Sequence, residues 1–279
     1  MTKRILKFDK IGYWSQIKLD IIKAYASAYS KILTKQKKLY HIYIDAFSGS
    51  GIHIGKDTHE LIEGSPLIAV YTDPPFNEYH FIDLDKTKIN ALRKFVGERD
   101  DVYFYDEDCN TLLVENIFPR ARYEYFKRAL CLLDPYGLHL NWKVIETAGK
   151  MKSIEIFLNF PVADMNRNVL WRDPKDVNPS DIERMNKYWG DDSWREIAYT
   201  KQPPDLFGYE KSEKNTNEFI AQAFRKRLEK IAGFEYVPKP IPMRNSRGAT
   251  IYYLFFASQN RVGRHIIEYI FNRYRDYKK

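Results

Sequence analysis

"YHIYIDAFSGSGIHIG", residues 40–55, runs from an apolar strand into a loop with Gly49, Gly51 and Gly55. Asp45 ends the strand, and Gly49 and Gly51 lie just beyond it. In open α/β sheets, ligands bind outside the carboxyl ends of strands, near the switch in strand order. The loop has that meaning only if more strands follow. Four do: "YHFIDLD" (79–85), "VYFYDED" (102–108), "ALCLLDP" (129–135) and "IEIFLNF" (154–160), separated by helical stretches such as "TKINALRKFV" (87–96) and "VIETAGKM" (144–151). Five strands alternating with helices predict a parallel sheet covered on both faces.

Upstream, residues 15–36 place Ile17, Ile21, Ile22, Tyr25, Tyr29 and Leu33 at helical spacing behind Ser15, a residue suited to capping. Downstream, 161–235 breaks the rhythm with Trp171, Trp189 and Trp194 among turn-rich stretches, and reads as an insertion of short helices and turns. "IPMRNSRGATIYYLFFAS" (241–258) then predicts a hairpin and 261–277 a closing helix. The expected division is 1–160 for the opening helix and ligand-binding core, 161–235 for a substrate- or partner-binding insertion, and 236–279 for the hairpin and helix that complete the core.

The 279 residues carry 45 Lys plus Arg against 37 Asp plus Glu, a formal charge of +8. Residues 1–40 hold ten basic and two acidic side chains, and 239–279 hold nine and two, so the middle is acidic. Basic ends favour phosphate-rich partners. If Lys37, Lys38, Arg244, Arg247, Arg261 and Arg264 share one face, that face binds nucleic acid. Two apolar-context cysteines, Cys109 and Cys131, suggest neither a disulfide framework nor a zinc site. No run is long enough to span a membrane, and "MTKRILKFDK" lacks a signal peptide's apolar core. The expectation is a soluble protein of the reducing cytoplasm.

Acids close the first three strands. Asp45 can bind a cationic group or orient the glycine loop through backbone N–H groups. Ser65 and Pro66 suit the cap and first turn of a helix. Asp83 can accept from both hydroxyls of a ribose, while Asp85 suits the cap of the helix near Thr87. Asp108 can accept from an adenine amino group as the Cys109 N–H donates to the ring. Gly51 and Asp83 are thirty-two residues apart, whereas the dinucleotide fingerprint puts the acid about 20 residues on. A nicotinamide oxidoreductase is therefore disfavoured, and no Walker pattern follows the loop. The four strand ends outline an adenosyl ligand without a phosphate cradle. At the fourth, "CLLDPYGL" (131–138), Asp134 and the Pro135 carbonyl can hold a substrate amine and Tyr136 can stack on a planar base. Aiming the amine lone pair at an electrophilic methyl group gains rate through orientation.

These residues resemble a class I S-adenosylmethionine (SAM)-dependent methyltransferase. More closely, "YIDAFSGSG", "EGSPLIAV", "HFIDLD", "DCN", "LLDPYGL" and "FLNF" resemble the three-Cys-motif partner (TcmP) family. The resemblance implies a Rossmann-like, mixed seven-stranded sheet. It also implies Asp45, Phe47, Gly49 and Gly51 near the methionine part of SAM, Asp83 on ribose, and Asp108 with Cys109 at adenine. "DPYG" is similar to the Asp-Pro-Pro-Tyr motif of amino-methylating nucleic-acid enzymes and to the Asp-Pro-Phe-Gly of a tRNA guanine-N2 methyltransferase. The expected function is N-methylation of a base in RNA or DNA, with Asp134, Pro135 and Tyr136 at the reaction centre. The competing expectation is a noncatalytic or partner-dependent subunit of a three-cysteine-motif protein system.

Overall fold

The structure is a computed structural model that describes residues 8–171, 176–203 and 211–275. Parts of "MTKRILKFDK" and of the turn-rich stretches at 172–181 and 201–210 lie outside the described residues. Seven strands form the main sheet: β1 (Tyr40–Asp45), β2 (Glu78–Ile82), β3 (Val102–Tyr105), β4 (Lys127–Leu133), β5 (Ile154–Phe160), β6 (Ile241–Arg244) and β7 (Thr250–Ala257). Their spatial order is β6-β7-β5-β4-β1-β2-β3. β1 to β5 are parallel, and β7 runs antiparallel to both β5 and β6. This is a Rossmann-like mixed sheet, with the order reversing between β1 and β4.

Period-two alternation explains why these segments are strands. Ile42 and Ile44 of β1 and Ile154, Ile156, Leu158 and Phe160 of β5 enter one core, while Tyr43 and Phe157 enter the other. The first core is closed by Trp142–Met151 and Asn217–Lys230, the second by Tyr13–Thr34 and Arg261–Arg275. Both faces are thus covered, as a parallel sheet requires.

The opening helix starts earlier than expected. Gly12 is its N-cap and makes no side-chain cap bond, so Ser15 lies inside the first turn. Ser65 is also no cap: Gly64 takes that place, and the Ser65 hydroxyl donates instead to Asp45. The stretch after the glycine loop forms a hairpin, Ile52–Gly55 with Leu61–Glu63, onto which Asp9–Ile11 adds as a parallel strand. Within 161–235, Val162–Asn168 and Trp194–Ala198 are short helices of 7 and 5 residues, as expected, whereas Pro179–Trp189 and Asn217–Lys230 are longer, at 11 and 14. Trp189 and Trp194 are 2 % exposed and pack in the first core, which removes them from any base-stacking surface. Trp171 is 40 % exposed and donates its indole N–H to the Arg167 carbonyl.

β7 places the basic residues at opposite ends of the sheet. Tyr253 pairs with Phe160 and Ala257 with Ile156, so the hairpin turn with Arg244 and Arg247 projects at the carboxyl ends of the parallel strands. Arg261 and Arg264 follow the other end of β7, and Lys37 and Lys38 precede β1 there. An eight-residue strand spans about 25 Å, so these six cations form no single face. Among the described residues no helix is long and apolar enough to cross a membrane, and no cluster of three or more His, Cys, Asp or Glu could hold a metal.

A buried acid ties the opening helix to the sheet. Glu155 of β5 accepts from the Tyr25 hydroxyl and, at 2.9 Å, from that of Ser258. Burial pushes its carboxyl up to about 7, against the pull of those bonds. Between the ordinary value of 4.5 and about 7, the folded chain holds a proton that the unfolded chain has released. This contribution to stability is complete below 4.5 and is lost as pH rises through 7. Asp45 has the same sign. Glu155→Gln should therefore lose less melting temperature than the parent between about pH 5 and 8. Equal losses in thermal melts of the two proteins would remove Glu155 from the account.

Candidate active site

The glycine loop is built from its neighbours. Asp45 is fully buried: its carboxylate accepts from the Ser65 hydroxyl at 2.6 Å and the Phe47 N–H at 3.3 Å. Burial pushes it up to about 7. Enclosed in this way, Asp45 braces the loop and presents no surface to a cation or cofactor. Gly51 (φ 81°) also plays a packing role, since a Cβ there would meet Leu92 Cδ1 at 2.5 Å. Gly49 (φ 63°) differs: space is open around it, it lines a cavity, and its N–H donates to Asp83 Oδ2 at 3.0 Å.

Asp83 Oδ1 accepts from the Asp85 N–H at 2.8 Å, so each oxygen of this mostly buried carboxylate is fixed by one backbone donor. Asp85 itself caps the helix Lys86–Val96 through the Thr87 N–H. Asp108 is exposed at the end of β3 and caps Cys109–Leu112, accepting from the Asn110 N–H at 3.0 Å. Burial pushes the Cys109 thiol up to about 12, so it stays protonated near neutral pH; Cys131 is also buried and free.

A cavity of about 390 Å³ joins the first and fourth strand ends. Its walls include Phe47, Ser48 and Gly49 after β1, Asp134, Pro135 and Tyr136 after β4, and Asn159 near the end of β5. Its remaining wall is the N-terminal segment, with Asp9, Ile11, Ser15 and Lys18, together with His53 from the added hairpin. Sequence reasoning missed this wall.

Lys18 changes the picture of Asp134. Its ammonium donates to Asp134 Oδ2 and lies 5.5 Å from the Tyr252 ring centroid. Burial alone would lower the Lys18 pKa, but the charge and hydrogen bond of Asp134 raise it above the ordinary lysine value. Tyr136 is 60 % exposed, yet its hydroxyl is tethered to Lys88 at 3.2 Å and Asp9 at 3.3 Å, and Lys88 pairs with Asp9 at 2.8 Å. Two buried polar atoms in the cavity residues have no hydrogen-bond partner among the described residues, His53 Nδ1 and Asn159 Oδ1. Burial, then the Lys18 charge, lowers the His53 pKa, so its ring is neutral at pH 7.

No family model matches the chain, and no curated protein matches it. Among solved structures, LPL1258 from Legionella pneumophila, described by the family model DUF519, superposes with a TM-score of 0.53 at 13 % identity over 91 % of each chain. A SAM-dependent methyltransferase from Clostridium acetobutylicum reaches 0.39 at 10 % identity, over 85 % of this chain and 91 % of that one. At such identity the first likeness concerns fold alone, and it covers nearly all of both chains. The sheet order, the loop after β1 and the turn after β4 together make this chain a Rossmann-like α/β fold with a mixed seven-stranded sheet.

Proposed function

We propose that this chain is a SAM-dependent methyltransferase that N-methylates an exocyclic amine of a base in nucleic acid. One observation carries this reading: the glycine loop after β1 and the Asp134–Tyr136 turn after β4 open into one cavity. Residues beside the cavity suit the cofactor, with Asp83, Asp108 and Cys109 outside the cavity lining and just beyond the ends of β2 and β3. Asp83 is already oriented by two backbone donors and keeps lone pairs for ribose hydroxyls, and Gly49 leaves its backbone open to close approach. Asp108 and the Cys109 N–H stand at the end of β3 for the adenine. When bound, SAM supplies a methyl group on a positively charged sulfur.

The chain's own side chains do the rest. Lys18 holds Asp134 Oδ2, which leaves Oδ1 and the Pro135 carbonyl to accept the two N–H groups of the amine and direct its lone pair. The methylated nitrogen must lose a proton, and the neutral ring of His53, a residue of the cavity wall, is the nearby base proposed to take it. Tyr136, anchored by its hydroxyl, offers an exposed ring to an extruded base.

The test is transfer of labelled methyl groups to tRNA, rRNA and DNA pools, with Asp134→Ala as control. Label in one pool that disappears in the variant supports the reading. Label in none, with protein fractions labelled instead, overturns the substrate class. A second reading, a partner-dependent subunit of a three-cysteine-motif system, is favoured by Lys18, whose ammonium pairs with Asp134, the carboxylate that would hold the amine. Activity of the purified chain alone refutes that dependence.

A further inference from the structure

The segment "RARYEYFKR", residues 120–128, takes no part in the site above. It leads into β4 at the end of the sheet opposite Asp134, and the seven residues of β4 put it about 20 Å from the cavity. Tyr123–Tyr125 form a single tight turn, and Phe126 follows in the left-handed region at φ 57°, a conformation that bulky residues rarely adopt. Its ring is 53 % exposed, so burial within the chain does not offset that backbone. Tyr123 and Tyr125 are 54 % and 64 % exposed. Arg128 already lies 3.7 Å over the Tyr123 ring, whereas Arg122 comes only to 6.0 Å from that of Tyr125.

The Tyr40 N–H donates to the Phe126 carbonyl at 3.1 Å, which lays the exposed Lys37 and Lys38 beside this turn. Between residues 100 and 130 every exposed large apolar side chain is aromatic. Glu124 stands between the two tyrosines and pairs with Arg122 at 3.9 Å, but the cations outnumber it, and flat rings without exposed aliphatic chains suit stacked bases and phosphates rather than a protein or lipid surface.

We infer that Tyr125 and Phe126, flanked by Lys37, Lys38 and Arg122, form a stacking platform for a single-stranded segment of nucleic acid. This rests on the nucleic-acid part of the function proposed above. The platform holds the substrate at one end of the sheet while the target base enters the cavity at the other, so it favours long or folded substrates over nucleosides.

The experiment is fluorescence anisotropy of a labelled oligouridylate of about 12 nucleotides with the full chain, between about 50 and 200 mM salt. Binding of S-adenosylhomocysteine serves as the check on folding. Tyr125→Ala/Phe126→Ala should weaken oligonucleotide binding about five- to a hundred-fold per stacked base with little change in salt slope. Lys37→Gln/Lys38→Gln should reduce the log–log slope by about 0.7 per lost phosphate contact. Unchanged affinity and slope in both variants overturn the platform, and methyl transfer to nucleic acid then still stands. A parent that binds no oligonucleotide at low salt overturns it too; if the transfer assay is also negative, the substrate class falls with it.

Discussion

Asp83→Ala should weaken binding of S-adenosylhomocysteine about ten- to a hundred-fold. The carboxylate would accept from the ribose, and hydrogen bonds to a charged group are worth about 1.5–3 kcal/mol, with about 1.4 kcal/mol per tenfold in affinity. The change acts locally as well. It strips acceptors from the Gly49 and Asp85 N–H groups, loosening the loop that meets the ligand. Asp83→Asn, which keeps one carbonyl acceptor, should fall between variant and parent. Calorimetry on folded proteins checks both, and an unchanged dissociation constant in Asp83→Ala would place the ribose elsewhere.

Asp134→Ala should separate the two halves of the site. Cofactor affinity should stay within a few-fold of the parent, because the proposed ribose and adenine contacts fall to Asp83, Asp108 and Cys109, whereas the Asp134 carboxylate is held by Lys18. Methyl transfer should drop by about a hundred-fold or more, the loss that follows when a reacting group is misplaced by an ångström or so. The variant also leaves the Lys18 ammonium largely buried without its partner, so Lys18→Met/Asp134→Ala is the paired control for stability. Equal losses of binding and transfer in Asp134→Ala would put the carboxylate against the cofactor instead of the amine.

Much of this arrangement is legible in the chain itself. Strands β1 to β5 declare themselves because alternating residues such as Ile42, Tyr43 and Ile44 serve two cores, and the acids at 45, 83 and 108 mark strand ends. The roles of those acids are less legible, since hydrogen bonds decide them. Asp45 and Asp83 look alike in sequence, yet Ser65 encloses the first while backbone donors orient the second.

The N-terminal wall of the cavity was illegible for a different reason. Asp9–Ile11 is only three residues long and pairs with Ile52–Gly55, more than forty residues away, so no local period announces it. Lys18 left a faint sign, a cation between the buried Ile17 and Leu19. The basic termini misled because an antiparallel β7 carries neighbouring stretches of sequence to opposite ends of the sheet.

The most direct measurement is calorimetric titration of the purified chain with S-adenosylhomocysteine and, separately, with NADH. The account predicts one site for the homocysteine compound, weakened by Asp83→Ala, and no measurable heat from NADH. Binding of NADH, or no binding of S-adenosylhomocysteine by the folded parent, would contradict it.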